Sequence, residues 1–557
     1  MNALELLWIW LTPLLMVPFA GWRLSRWLLV AAPLPALGIA LLATFSAYPD
    51  GKTLEIPWLL LGTVWGLDDT GRVFLLVSSV LWLAAAVYGV NRPVEELQTK
   101  RYRVFFLLTM SGNLGLIIAQ DVVSFYLGFA LMGLCAYGMI KPSRTPMIRH
   151  AACLYLTMAI IGEVALFTAI VIITAHSDAL EFIQLQGIVF SSAAVLLLLI
   201  GFGIKIGLPG LHVWIPITYM AAPAATVAVL SSSMLNAGLL GLLRFLPPGN
   251  ESLLPWGEVL IVFGLIGTFY GIVIGLLQTN PRSVLAYSSI SKMGTLAMGV
   301  GLVLSSPQAT PLLTLAVVLY ASHHAFVKSA LFLGTDLLSR GMSQWAFWSL
   351  CFLALALAGA PLTSGAAAKV LLKDAMPMAL QSLNQWLLVA GWATVLLMGR
   401  FLFLVWNKQD EPRGAYSHDG LAKGAYVVLL VIIATMPALF VSWEKTLSGG
   451  IPIVIAGVII AVIWRTTPHI LQKLRLDIPP GDVLVLLHWI SSQAKYSSQQ
   501  VSFRFNFKFT RRKQHILHTL RKLQNSFSWS VEAMLHHWEL TGMLWLALCL
   551  GLIAVLI

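Results

Sequence analysis

Stretches of about 20 apolar residues recur from one end of this chain to the other. Each is long enough to cross the hydrocarbon core of a bilayer as a helix. Lipid offers no hydrogen bonds, so backbone groups at that depth must be satisfied within the segment, which leaves helices as the form for such runs. Composition matters here at one point. Of 557 residues, 58% are hydrophobic and 10% charged, whereas soluble domains carry about 25% charged residues. The reading is an all-α polytopic membrane protein. The apolar segments fall near residues 6–20, 28–47, 73–90, 104–119, 121–140, 152–175, 192–216, 222–246, 257–277, 283–304, 312–338, 345–374, 386–406, 423–442, 449–465 and 541–557, roughly 16 helices in all. A polar interval with Asp50, Glu55, Asp68 and Asp69 separates the second from the third.

The formal net charge is +12. In a membrane protein such an excess reports loop topology rather than nucleic-acid binding. Loops of one parity are basic: Arg23 and Arg26, then Arg92, Lys100, Arg101 and Arg103, then Lys141, Arg144 and Arg149, then Arg282, Arg340, Lys408 and Arg413. Loops of the other parity are acidic or neutral: Asp178 and Glu181, Glu251, then residues 305–310. The alternation predicts basic loops in the cytoplasm and both termini outside, in a multi-pass protein of the inner (plasma) membrane. The first apolar stretch lacks a basic n-region and reads as a membrane helix rather than a signal peptide. Cys135, Cys153, Cys351 and Cys549 are scattered, without a Cys-x-x-Cys pattern. That argues against an iron–sulfur cluster, a cysteine zinc site and disulfides, and no metal site is expected.

Residues 201–216, GFGIKIGLPGLHVWIP, begin as an apolar helix with one ammonium at Lys205, break around Pro209 and resume with His212. A lysine at the centre of a membrane helix costs roughly 2.5–3.5 kcal/mol. Broken backbone at that depth is tolerated inside protein or beside a water-filled cavity. Two such costs in one place suggest a site; a lysine that snorkels to the interface with a loop after it is the alternative. Four further apolar segments carry ionisable groups: Glu163; Lys292; His323, His324 and Lys328; and Lys369 with Lys373. His324 and Lys328 are four apart and share a helical face. Each alone is equally readable as a buried, paired structural residue, but a series at membrane depth is what a proton or ion path requires. Lys369 follows a second break, at Gly359, Pro361 and Gly365. Paired discontinuous helices are the pattern of repeat-built transporters. The charge precedes one break and follows the other, as inverted repeats would have it.

Residues 466–540 are polar and basic, with an alternating run at 503–509 and an amphipathic helix expected over 515–538. The segment reads as a surface-lying connector held by anionic lipid, or as a docking surface for partner subunits.

The stretches KIGLPGLHVWIP, NPRSVLAYSSISKMG, HHAFVKSALFLG and AGAPLTSGAAAK resemble the signature segments of the antiporter-like subunits of respiratory complex I, a family that includes Mrp-type antiporter subunits and membrane subunits of energy-converting hydrogenases. The resemblance covers residues 70–440. It implies a core of about 14 helices built from two inverted five-helix repeats, each with a broken helix. On that pattern Lys205 matches the central lysine, His324 and Lys328 the helix connecting the halves, and Lys369 the terminal lysine. The chain departs from the pattern where the family carries Trp-Glu: Phe129 and Ala130 stand there, and the carboxylate is missing. Glu163 is the candidate replacement partner for Lys205. Asn236 stands where a lysine is usual, and Lys292 where histidine or glutamine is common.

The expected function is proton (or sodium/proton) translocation along Glu163, Lys205, His212, Lys292, His323, His324, Lys328 and Lys369, within a multi-subunit complex having other membrane subunits and a cytoplasmic module. The alternatives are the ion-conducting subunit of an inorganic-carbon uptake complex, and a structural membrane-arm subunit whose path has decayed. No quinone, flavin, haem or nucleotide signature is present, so no cofactor is expected and any redox chemistry falls to partners. The chain divides into N-terminal helices (1–100), a first repeat (101–250), a second repeat (251–410), additional helices (411–465), the basic segment (466–540) and a last helix (541–557).

Overall fold

In a computed structural model the described residues are 3–458, apart from 23–24, 46–52, 60–61, 91–98, 141–144, 178–179, 341–343, 408–419, 443, 448–450, 452 and 456. The basic segment 466–540, the expected helix at 541–557 and Cys549 lie outside the described residues.

The chain opens with α1 (Leu7–Met16), α2 (Ser25–Ala31) and α3 (Leu34–Phe45), the last two joined across Pro33. A short antiparallel hairpin follows, β1 (Leu54–Ile56) and β2 (Thr63–Trp65), with Leu54 opposite Trp65. Next is α4 (Asp69–Gly89), whose N-cap Asp68 accepts from the Gly71 amide. Then come α5 (Lys100–Ile118), α6 (Val122–Ile140), α7 (Pro146–Ser177), α8 (Ser192–Ile206), α9 (Trp214–Ala221), α10 (Ala224–Leu230) and α11 (Ser233–Phe245). The rest is α12 (Leu254–Leu276), α13 (Pro281–Ser305), α14 (Thr310–Ser339), α15 (Gln344–Ala358), α16 (Ser364–Asp374), α17 (Leu383–Asn407) and α18 (Gly420–Phe440).

Among the described residues, 10 spans are long and apolar enough to cross a membrane. The helices α5 and α13 and the pairs α8–α9 and α15–α16 add four crossings, so about fourteen lead to residue 440. Five of them, α5 through α11, form one set, and five more, α12 through α17, form a second. Five is odd, so the second set starts on the opposite face of the bundle and runs inverted. Each set opens on a hairpin of two closely packed helices, α5 with α6 and α12 with α13. Glycines permit the approach. A Cβ on Gly112 would stand 2.6 Å from the Gly128 carbonyl, and one on Gly264 would stand 2.6 Å from the Gly294 carbonyl. Small residues at matched positions let backbones meet, which is how helices associate where lipid supplies no hydrophobic drive.

Each set contains a break. Between α8 and α9 the chain turns at Gly207, with φ of +78°, and the amides of Gly207 and Leu208 both donate to the Gly203 carbonyl, at 2.8 and 2.9 Å. Between α15 and α16 it turns at Gly359, with φ of +84°, and at Leu362, with φ of +59°. These are the breaks expected around Pro209 and Pro361. A third break, between α10 and α11, corrects the reading of 222–246 as one continuous helix. Ser231 and Ser232 both return their hydroxyls to the Ala228 carbonyl, and such back-bonding competes with the helical ladder.

On the face bearing Asp68, Asp121 and Glu251, Arg244 closes the end of α5. It donates to the carbonyls of Leu116, Ile117 and Ala119 and pairs with Asp68 at 2.6 Å. A cation there satisfies carbonyls that the helix end leaves open. The 30-residue α14 is buried throughout its middle, from Val317 to Leu333.

Candidate functional site

The ionisable residues of the apolar segments gather into two groups. In the first set of helices, Lys205 lies on the last turn of α8 and Glu163 in the middle of α7. Both are buried, at 6% exposure each. A Cβ on Gly133 of α6 would stand 2.8 Å from Glu163 Oε1 and 3.7 Å from Lys205 Nζ. The two charges are therefore within about 6.5 Å of each other, close enough for each to favour the charged form of the other. The Lys205 ammonium also faces the rings of Phe129, at 5.4 Å, and Tyr155, at 5.9 Å. Tyr155 in turn donates to the Gly133 carbonyl at 2.7 Å. Glu163, Lys205, Phe129, Tyr155, Gly162, Gly201 and Trp214 line a small cavity. Glu163 Oε2, buried, has no hydrogen-bond partner among the described residues, which marks a place for water.

Sequence explains the placement. On α7, Ile160, Ile161 and Val164 face outward while Glu163 turns in, so the carboxylate sits on the buried stripe of a peripheral helix. Gly133 and Gly162 keep the space beside it clear. The missing carboxylate at Ala130 has a physical counterpart: its neighbour Phe129 offers a ring face where a carboxylate is usual, and the carboxylate arrives from α7 instead.

The second group centres on α14. Lys328 Nζ donates to the Leu285 carbonyl at 2.8 Å and to Ser288 Oγ, both on α13. Lys292 Nζ donates to Thr394 Oγ1 of α17 at 3.1 Å. His323 Nδ1 is hydrogen-bonded to Ser364 Oγ at 2.8 Å, on the first turn of α16. Lys369 Nζ donates to the Ala358 carbonyl at 2.5 Å, the last residue of α15. Lys292 lies within electrostatic reach of Lys328, Lys369, His323 and His324. His324 is fully buried, and neither ring nitrogen has a hydrogen-bond partner among the described residues. This group carries no carboxylate among its expected members, so hydroxyls of Ser288 and Thr394 and the backbone carbonyls of Leu285 and Ala358 accept its lysines' hydrogen bonds.

The reversed order of charge and break has an electrostatic meaning. Lys205 precedes its break and Lys369 follows its own, yet both meet the C-terminal end of the first half-helix. That end carries partial negative charge, which favours a cation.

Between the groups stands α11. Its Gly238 packs on the Lys205 stem, with a Cβ there at 3.0 Å from Lys205 Cβ. Asn236, on the same helix, donates to the Ala321 carbonyl of α14 at 3.4 Å, while its Oδ1 has no hydrogen-bond partner among the described residues. Lys205 is thus brought to Glu163 and not to His324. His212, just before α9, is hydrogen-bonded to Tyr270 of α12 at 3.2 Å and faces Tyr287. Phe129, Gly133, Tyr155, Ser364 and Thr394 were not among the expected site residues. Thr394 and Tyr155 are polar groups in apolar helices, a weak signal; Phe129 stood out only as a departure from the family pattern, and Gly133 carried no signal.

Paired breaks, each with a buried lysine beside it, in two inverted sets of five crossings, form the architecture of a repeat-built membrane transport subunit. The match to the NADH:quinone oxidoreductase/Mrp antiporter transmembrane family runs over residues 119–398, half of the chain, and the chain belongs to that family. Hydrogenase-4 component B of Escherichia coli is 27% identical over 282 residues, which is 48% of this chain and 42% of that protein. An NAD(P)H-quinone oxidoreductase chain 4 of Picosynechococcus is 25% identical over 339 residues, 57% of this chain and 60% of that protein. The chain spans about half the length of the relatives it matches first. In fold it is similar to a chain of the Mrp complex from Dietzia, with a TM-score of 0.70 at 20% identity, covering 95% of this chain and 63% of that one. It is equally similar to a chain of an archaeal respiratory membrane complex, the membrane-bound sulfane sulfur reductase, with a TM-score of 0.70 at 20% identity, covering 83% and 99%.

Proposed function

We propose that this chain moves protons across the membrane, as one subunit of a multi-subunit complex, through the buried series described above. The observation that carries the reading is the pairing of Glu163 with Lys205 beside the first break. A buried ammonium whose counter-charge can be protonated is a switch: with Glu163 ionised Lys205 keeps its proton, and with Glu163 neutral the ammonium loses its partner and releases it. The proton would pass to the α14 group, where Lys328, His324, Lys292 and His323 lead to Lys369 beside the second break. His212 would act at the margin of this path, through Tyr270. Sodium/proton exchange is the variant of the same reading. Membership of the family supports ion translocation at the level of the class.

The same reading places the basic loops in the cytoplasm, where a cytoplasmic module would dock, and the protein in the inner (plasma) membrane. The charge alternation of the loops supports this orientation.

Flux measurement in proteoliposomes tests it. Replacing Lys205 by Ala and, separately, Lys369 by Ala should each reduce pH-gradient-driven proton flux by about a hundredfold or more, the range that loss of a positioned proton-transfer group produces. Flux unchanged in both variants would remove the mechanism.

Asn236 favours a second reading, a structural membrane-arm subunit. A neutral amide stands between the groups and cannot carry a proton as a lysine does. Full flux in Glu163→Ala would support this reading over the first.

A further inference from the structure

Asp336 lies on the last turn of α14, where the helix's own carbonyls disfavour an anion. It is buried all the same, with 9% of its side chain exposed, whereas the carboxylates of the other described ion pairs, Asp68, Asp69 and Asp374, are 39%, 96% and 49% exposed. Three helices meet at this carboxylate, and a fourth is reached through Arg282. Tyr88 of α4 donates to Oδ2 at 2.7 Å and also reaches the Leu333 carbonyl at 3.0 Å. Arg340 donates its Nε to Oδ2 at 2.9 Å. Arg282, on the first turn of α13, holds Oδ1 at 3.6 Å. The other end of the same guanidinium donates to the Ala222 carbonyl at 3.1 Å. Ala222 is the C-cap of α9, so Arg282 bridges the relay helix of the second set and the end of the broken helix of the first.

We propose that Asp336 and Arg282 are positioning residues, a latch that holds α14 in register with the α9–α10 junction. The latch takes its functional sense from the proton-relay reading, because α14 carries His323, His324 and Lys328. Lys328 lies eight residues before Asp336, about 12 Å along the helix axis. A fixed end at Asp336 therefore sets where Lys328 meets Ser288 and Leu285. The geometry also accounts for an anion at an unfavourable helix end: besides Arg340 at the end of α14 itself, its partners Tyr88 and Arg282 lie on α4 and α13.

Hydrogen–deuterium exchange on the full-length chain in liposomes tests the latch independently of transport. In Asp336→Asn the amides of residues 218–226 should exchange faster, on the order of tenfold, as expected for loss of a coupling between contacting residues. Arg282→Lys keeps the charge and loses the two-ended reach, and should show the same local rise. The double variant should show no more than either single one. Asp336→Glu should restore most of the protection. Unchanged exchange at 218–226 in Asp336→Asn, or additive effects in the double variant, would overturn the latch. If Asp336→Asn loosens the whole chain, Arg282→Lys decides: a rise confined to 218–226 supports the latch, and no rise overturns it. Proton flux should fall severalfold in both single variants, again as such couplings allow; raised exchange with undiminished flux would overturn the role in transport. Flux in the unmodified chain that does not depend on Lys205 and Lys369 would instead overturn the proton-relay reading, with exchange still deciding the latch.

Discussion

Lys205 is tolerated inside an apolar helix because three favourable fields meet at its ammonium. It sits at the C-terminal end of α8, it has Glu163 within about 6.5 Å, and two aromatic faces lie over it. Removing one member of such a buried pair strands the other, at a cost of about 3–5 kcal/mol, whereas replacing both by apolar groups of similar volume is often neutral. Glu163→Gln should therefore lower thermal stability strongly and abolish flux. The double variant Glu163→Gln/Lys205→Met should recover most of the stability and none of the flux. Thermal unfolding and proteoliposome flux on the same preparations check this. A double variant as unstable as the single one would mean that the two residues are not energetically coupled. Glu163 and Lys205 were each legible as isolated charges in apolar runs. That they face each other was an expectation built on the carboxylate missing at Ala130, and the contact at Gly133 had no signal, because a glycine announces nothing about what fills the space it leaves.

The breaks show how much of an element is written locally. Gly-Leu-Pro-Gly at 207–210 and Gly-Ala-Pro at 359–361 are turn chemistry inside apolar runs, and both breaks are where those residues predict. The break at Ser231–Ser232 carries only serines, which are common in membrane helices, and its signal is lost among them. Leu362 is a different case. It holds φ of +59° while 57% exposed, and a non-glycine residue in that region is strained by about 1–2 kcal/mol. Leu362→Gly should raise the unfolding temperature, since little packing is lost, and should loosen the junction that presents Lys369; a lower unfolding temperature would show that the side chain holds the break. The hairpin α12–α13 makes the opposite demand. Gly294→Ala places a methyl 2.6 Å from the Gly264 carbonyl and the Thr268 amide, and overpacking of this kind costs about 1–3 kcal/mol. The expected result is a lower unfolding temperature, with Gly424→Ala, whose Cβ meets nothing, close to unmodified.

At the scale of the molecule, the two groups of ionisable residues are separate, joined through α11 and on the basic face through the Arg282–Asp336 contact. If protons pass from one group to the other, the groups act in series. Lys205→Ala combined with Lys369→Ala should then reduce flux no further than the more severe single variant. Multiplying effects would mean two parallel paths. The inverted arrangement of the two sets gives this scale its logic. An odd number of crossings turns the second set over, so equivalent breaks open toward opposite faces.

The sequence by itself determined the membrane class, the number of crossings through residue 440 and two of the three breaks. Those follow from runs of apolar residues and from Gly and Pro, whose constraints act within a few positions of the chain. Only the tertiary structure decided which groups meet: Lys292 with Thr394, His323 with Ser364, Asp336 with Arg282, and the gap at Gly133 that lets Glu163 face Lys205. Such pairings join helices far apart in the sequence. They depend on which stripe of each helix turns inward and on how closely glycines let neighbours approach, and no local pattern encodes both.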